Sequence, residues 1–321
     1  MKVVMTIAVR NEADIIEENL RYHLNAGVDF IMATDHRSED GTTEILERYE
    51  RDGLLHLIRE TGEAFLQTEW VTRMARLAAT SFGADWVINA DTDEFWWPHS
   101  GTLRDVFAAV PPGYGAVRGT WRHFALRPDT DEAFYERMIV RRAPARDPAN
   151  PYCANAKVAH RASAGARVAR GNHDVEGEGL ALLRDWVPFE VLHFPIRSHV
   201  HLLDKFSVTR TGHRLAGADL VPKHVVKLAQ SLVEGPEDLY RELLVDDAAV
   251  ERGLAIGLLS LDTRLRDTLG GNAVPSTSPE EDVAFAEEID VMLAMDSAVR
   301  LEERVDAFEN RLAAVESKGG R

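Results

Sequence analysis

Trp86-Val87-Ile88-Asn89-Ala90-Asp91-Thr92-Asp93-Glu94-Phe95 is the stretch on which the reading of this chain turns. Its apolar first half, 86–90, reads as a strand, and carboxylates at i and i+2 follow at once. Once the chain turns, Asp91 and Asp93 both face the crevice beyond the strand's carboxyl end, where open α/β sheets bind ligands. Hard oxygen ligands suit Mg²⁺ or Mn²⁺, and such an ion usually engages one or two carboxylates together with substrate phosphates. The pair therefore predicts a divalent ion and a diphosphate-bearing substrate. Asp-x-Asp is also common in acidic loops; the preceding strand is what favours the functional reading.

Upstream of that strand, apolar runs at 2–9, 30–34 and 54–59 alternate with helical patterns, the signature of a mostly parallel central sheet flanked by helices. Ile15, Ile16, Leu20 and Leu24 place one face of a helix over 13–26 on the sheet. Asp40-Gly41-Thr42 precedes a second helix, 43–52, closed by Gly53, and a third spans 69–82 before Gly83. The expected class is α/β.

Downstream, 111–195 is irregular: Pro111-Pro112-Gly113, Pro144, Pro148 and Pro151 interrupt short strands at 115–121 and 134–141. It is expected to supply loops over a site rather than a second core. Residues 198–211 and 236–270 read as helical, and 272–279 (NAVPSTSP) as a linker. In the tail, Leu301, Val305, Phe308, Leu312 and Val315 form an a/d seam. It fits a helix packed on the parent domain or self-association into a homo-oligomer. The segment 280–321 carries 12 acidic against 5 basic residues, which a solvated helix face also explains.

The whole chain has 321 residues, with 37 basic and 53 acidic side chains and a net charge of −16. That balance argues against a nucleic-acid partner, because phosphate recognition rests on clustered Lys and Arg. With no apolar run near the roughly 20 residues needed to span a bilayer, and no signal-peptide pattern after Val9, a cytoplasmic location is expected. Cys153 is the single cysteine, so a metal here relies on oxygen and nitrogen ligands.

Two further groups point to the same sheet edge. Arg10, Asn11 and Glu12 end the first strand, where a basic residue and an amide can hold a nucleotide base or ribose; Asn11 or Asp14 as a helix N-cap is the plainer reading. Asp35 ends the second strand and can accept hydrogen bonds from a uracil-type imide or a ribose, or simply shape a turn.

Arg10-Asn11-Glu12-Ala13, Tyr22-His23-Leu24 with Gly27-Val28-Asp29, Asp35 with Ser38 and Asp40-Gly41-Thr42, and Asp91-Thr92-Asp93-Glu94-Phe95 stand in an order that resembles family 2-like glycosyltransferases of the GT-A fold. The resemblance covers roughly residues 1–210. It implies a GT-A domain over 1–215, followed by a helical extension over 216–271 and the acidic helix of 280–321. It also implies transfer of a sugar from a nucleotide-diphosphate sugar to an acceptor hydroxyl, usually with inversion. Asp35 then contacts the base, Asp91 lies near the ribose, and Asp93 binds Mn²⁺ or Mg²⁺ with Asp91 alongside. Gln67 and Arg73 lie in the stretch that lines the nucleotide pocket, although Gln67-Thr68-Glu69-Trp70 departs from the Asn-Gly pattern expected there.

The acceptor hydroxyl needs a base to take its proton. Gly171-Asn172-His173-Asp174-Val175-Glu176 lies about 80 residues after Asp93, a spacing such enzymes often use; Asp174 is the first candidate, with His173 and Glu176 behind it. Leu192-His193-Phe194-Pro195-Ile196-Arg197-Ser198 resembles a late motif of these transferases. It makes His193 a third metal ligand and brings Arg197, or Lys205, to the diphosphate; a structural histidine is the plainer reading. Trp96-Trp97-Pro98 is either a wall for the sugar or core.

Two other classes compete. Gly171-Asn172-His173-Asp174 and His199-Val200-His201 also look like blocks of metallophosphoesterases, but the Asp-x-His that opens that family is Ala8-Val9-Arg10 here. A non-catalytic interaction protein acting through its acidic tail is the third class. Clustered carboxylates at a crevice disfavour it, since they repel one another without a cation or ligand.

Overall fold

All seven residues of Val3–Val9 (β1) are buried, which puts this strand inside a sheet covered on both faces. The structure, a computed structural model, describes residues 1–145, 150, 152–153, 155–184, 186–205 and 235–271. The tail seam, the 272–279 linker and much of the 198–211 and 216–271 stretches fall outside the described residues. β1 pairs in parallel with Phe30–His36 (β2) on one side and Trp86–Ala90 (β4) on the other, and Leu55–Glu60 (β3) adds to β2. The connecting helices are Ile16–Asn25 (α1), Thr42–Arg51 (α2) and Gln67–Thr80 (α3). Alternate residues of β1 go to opposite faces. Val3, Met5 and Ile7 pack with Ile16, Leu20 and Leu46, while Val4 and Ala8 meet Trp70, Val71 and Met74 of α3.

The region 111–195 is not a set of loops. It contributes Ala116–His123 (β6), Ala156–Arg161 (β8) and Phe189–His193 (β11) to the same eight-stranded sheet, in the order β3-β2-β1-β4-β8-β6-β11-β5, where β5 is Glu94–Pro98. Pro111 and Pro112 lead into β6 and Pro144 lies between β6 and β8, in connections, so they mark no change of layer. Residues 134–141 are a second correction: a short helix, Phe134–Arg137, precedes a three-residue strand, Val140–Arg142 (β7), which pairs with Leu259–Leu261 (β12). Helices Pro236–Leu243 and Asp247–Ala255 and the short Arg264–Leu269 helix pack onto the main body through Leu239, Val245 and Leu265.

Strand order reverses between β1 and β4, so the crevice of a doubly wound sheet opens beyond their carboxyl ends. β6 and β11 run parallel to β1, whereas β8 and β5 run against it. One rim therefore gathers the ends of β1, β2, β4, β6 and β11 together with the beginnings of β8 and β5.

Candidate functional site

α1 fixes the carboxylate turn. β5 is an edge strand, and its free backbone groups need partners. Asn19, Tyr22 and His23 lie three and four residues apart on one helix face and supply them. Asn19 Nδ2 donates to the carbonyls of Thr92 and Glu94 at 2.8 Å each, the Tyr22 hydroxyl donates to the Trp96 carbonyl at 3.0 Å, and His23 Nε2 accepts the Trp96 N–H at 3.1 Å. Burial lowers His23 to about 4, keeping it neutral for that acceptor role. The Tyr22-His23 pair of the sequence motif is thus a brace for the Asp91–Glu94 turn. Trp96 and Trp97 are core.

Asp93 is buried, 4% exposed. Lys205 Nζ donates to its Oδ2 at 2.7 Å, and His193 Nε2 stands 3.5 Å from its Oδ1. Burial opposes the Asp93 charge, but the Lys205 ammonium foremost outweighs it and holds the carboxyl well below its usual range. Asp93, Glu94 and His193 each offer a ligand atom within 4.8 Å of the others, and among the described residues they are the one such trio of His, Cys, Asp or Glu. Two carboxylates and one imidazole fit Mn²⁺ or Mg²⁺. Glu94 Oε1 accepts from Trp121 Nε1 at 2.7 Å, while Oε2 meets only the Asp91 N–H, at 3.1 Å, so an oxygen remains for an ion. Burial, reinforced by Asp91 and Asp93 against the pull of Lys157, pushes Glu94 up to about 8.

Asp91 lies on the same turn with different partners. Gln67 Nε2 donates to its Oδ1 at 2.6 Å, Asn172 Nδ2 to the same oxygen at 3.0 Å, and Lys157 Nζ to Oδ2 at 2.5 Å. Its side chain is a quarter exposed. Asn172 ties in the turn that carries His173 and Asp174; Gly171 and Asn172 both adopt left-handed backbone there, at φ 68° and 62°. His173 Nδ1 bonds the Ala156 carbonyl at 2.8 Å, and burial lowers this ring to about 4. Asp174 is half-buried, with Oδ1 accepting the Val175 N–H. Glu176 is outside this group, on a surface hairpin formed by Arg167–Val168 (β9) and Val175–Glu176 (β10), paired with Arg167 at 2.8 Å.

At the β1 end, Arg10 Nη1 approaches His36 Nδ1 at 3.4 Å. His36 is fixed as acceptor because its Nε2–H donates to the Gly62 carbonyl at 2.7 Å. Arg10 Nε is buried with no hydrogen-bond partner, and no carboxylate pairs with this guanidinium among the described residues. Asp35 is closed on itself: Ser38 Oγ donates to Oδ1 at 2.6 Å and Thr43 Oγ1 to Oδ2 at 2.5 Å. Asn11, at φ 53°, does not cap α1. It accepts the Glu39 N–H and donates to Asp204, knitting β1 to the 38–39 turn. Arg197 is fully enclosed, paired with Glu12 and, at 2.7 Å, with Asp14, so Lys205 is the cation that reaches Asp93. Burial opposes the Glu12 charge, yet Arg197, His201 and Lys205 hold it below the ordinary range. Arg73 turns away to Glu60 at 2.5 Å. His199 pairs with Glu237 and His201 lies by Glu12, so neither joins the 171–174 turn in an ion site.

Sequence reasoning did not assign Glu94, Lys157, Trp121 or His123. Glu94 stood in the quoted motif, and Lys157 interrupts an apolar run, Ala156–His160, which was the one visible clue.

A doubly wound α/β sheet with carboxylates gathered at its switch-point rim is the architecture of GT-A-type proteins. Residues 4–164, half of the chain, match glycosyltransferase family 92, and the chain belongs to that family. This family is distinct from the family 2-like group that the motifs resemble; glycosyltransferase and GT-A fold are common to both readings. The comparison with curated proteins gives no match. Among solved structures, the chain is similar to glucosyl-3-phosphoglycerate synthase from Mycobacterium tuberculosis in complex with Mn²⁺, UDP and phosphoglyceric acid, at 19% identity over 37% of this chain and 43% of that one, TM-score 0.28. It is also similar to S. aureus TarS, at 13% identity over 65% and 38%, TM-score 0.34. For TarS 1-349 with UDP-GlcNAc the values are 13%, 65% and 65%, TM-score 0.34. The chain thus spans less than half the length of the first two. No helix among the described residues is long and apolar enough to cross a membrane.

Proposed function

We propose that this chain transfers a sugar from a nucleoside-diphosphate sugar to an acceptor hydroxyl, with Mn²⁺ or Mg²⁺ held by Asp93, Glu94 and His193. The observation that carries the reading is that trio, buried at the switch-point rim of a family 92 domain. When bound, the ion stabilises the charge that develops on the leaving diphosphate. Lys205, on the far oxygen of Asp93, keeps that carboxylate ionised, and the guanidinium of Arg10, which meets no carboxylate among the described residues, is placed to take an anionic group at the β1 end.

Asp91 stays the candidate for the ribose: three donors hold its carboxylate in place, and its partial exposure leaves it within reach. Asp174 is the candidate base. Its carboxylate takes the acceptor proton as the hydroxyl oxygen bonds to the anomeric carbon and the bond to the diphosphate oxygen breaks, a direct displacement that inverts that carbon. His173, neutral and tied to Ala156, supports the turn beside it. The cytoplasmic location and self-association through the 301–315 seam belong to the same proposal and rest on the sequence reading.

A screen of nucleotide sugars for Mn²⁺-dependent hydrolysis tests the donor without knowledge of the acceptor. Release of a nucleoside diphosphate from one donor, dependent on Asp93, is the expected result. Hydrolysis of generic phosphodiesters with no response to any nucleotide sugar would overturn it.

A further inference from the structure

Pairing of β6 with β11 sets His123 directly beside His193, each the last residue of its strand. Their Nδ1 atoms lie 2.9 Å apart, and both rings are buried. A metal-binding histidine is a neutral imidazole, and a contact of this length between two ring nitrogens contains one hydrogen, donated from one Nδ1 to the other.

A neutral imidazole carries a single N–H, so that choice decides what His193 Nε2 presents to the cation position. If His123 donated, His193 would hold its hydrogen on Nε2, aimed at Asp93 Oδ1 across 3.5 Å, too long for a good hydrogen bond. It would also close the position to an ion. If His193 donates, its Nε2 lone pair faces the space between Asp93 and Glu94, and the His123 hydrogen moves to Nε2. That atom is buried and makes no hydrogen bond among the described residues. Trp121 already fixes the plane of His193, stacking on it with centroids 4.6 Å apart at 15°. Its indole nitrogen anchors Glu94. What remains to be set is the tautomer.

We propose that His123 is a positioning residue for the cation site: it accepts a hydrogen bond from His193 Nδ1 and so keeps the His193 Nε2 lone pair turned toward Asp93 and Glu94. The inference rests on the cation reading of the preceding subsection and names the residue that tunes it.

The test uses the full chain and Mn²⁺ alone as probe, with affinity read from the electron paramagnetic resonance of free Mn²⁺ and folding from thermal unfolding. His193→Ala removes a ligand and abolishes binding at micromolar metal. His123→Phe keeps a ring but no acceptor, and weakens binding by about 10–100-fold. His123→Asn restores an acceptor oxygen and recovers most of that loss.

Should both His123 variants unfold, ¹⁵N-histidine spectra of the unsubstituted chain saturated with Mg²⁺ give the answer: His193 protonated on Nδ1 and His123 on Nε2 are expected. A His123→Phe variant that is folded and binds Mn²⁺ as tightly as the parent, or His193 protonated on Nε2 in the Mg²⁺ form, overturns the role of His123 alone. A parent chain that binds no Mn²⁺ overturns the cation reading and this inference with it.

Discussion

Lys157 Nζ stands 2.5 Å from Asp91 Oδ2 and 2.8 Å from Glu94 Oε1, so one ammonium joins the carboxylate that ends β4 to the one that begins β5. It also donates to the Gly171 carbonyl at 2.7 Å and lies 4.8 Å from the centre of the Trp121 ring. The side chain is 1% exposed. Burial opposes its charge, but Asp91 and Glu94 outweigh that effect and raise the lysine above its ordinary range.

Lys157→Met keeps the volume and removes the charge, leaving the Asp91 carboxylate without its buried cation. Removing one partner of a buried pair costs about 3–5 kcal/mol. Urea denaturation at pH 7 should show a loss of that order, and a loss under about 1 kcal/mol, the scale of a surface pair, would refute the assignment.

Asp93→Asn should leave the fold intact and abolish metal-dependent nucleotide binding. Loss of a direct ligand is expected to exceed the 10–100-fold typical of outer partners, so more than about 100-fold in Mn²⁺ affinity. Thermal shift with UDP or GDP, with and without Mn²⁺, reads the effect, because stabilisation by nucleotide plus metal disappears with the ion.

Asp174→Asn should separate binding from turnover. Nucleotide binding persists, since no described contact of Asp174 reaches Asp93 or Glu94. Turnover should fall by about 10²–10⁴-fold, the range for loss of a positioned base. Calorimetric titration with the nucleoside diphosphate and a steady-state assay distinguish the two; unimpaired kcat would remove Asp174 from the mechanism.

Acid should destabilise the chain through His23. Its folded value, about 4, lies below the 6.5 of a free imidazole, so the unfolded state takes up the proton first. The stabilisation is complete above pH 6.5 and is lost as pH falls toward 4, by roughly 3 kcal/mol for this one group. His160, also lowered to about 4 by burial, acts in the same direction. Urea midpoints at pH 7.5 and 5 should differ for the parent and differ less in His23→Gln; equal pH slopes would count against the brace.

The strand at 86–90 was legible to the residue, because an apolar run bounded by Asp85 and Asp91 needs no distant information. β1 and the three crossover helices were similarly visible. β5 was not. Glu94–Pro98 is short, follows β4 after a turn of three residues, and is held as a strand by β11 and by the side chains of α1 rather than by its own pattern. Residues 134–141 misled for the opposite reason: local apolar spacing suited a strand, while packing of Phe134 against Phe95 and Phe194 set a helical turn. At the site, Asp91, Asp93 and His193 could be picked out from motifs at strand ends. Glu94, Lys157 and His123 acquire their partners only across strand pairs that lie far apart along the chain.

The reversed course of β8 and β5 carries one more consequence. Lys157, the second residue of β8, and Glu94, the first of β5, are set in place by rungs of the ladder, and from the connecting turns the Gly171 carbonyl reaches Lys157. The connecting segments can therefore change length while the ladder holds the backbone of both residues where it is, so that tolerance of insertions and upkeep of the charged seat fall largely to separate parts of the polypeptide.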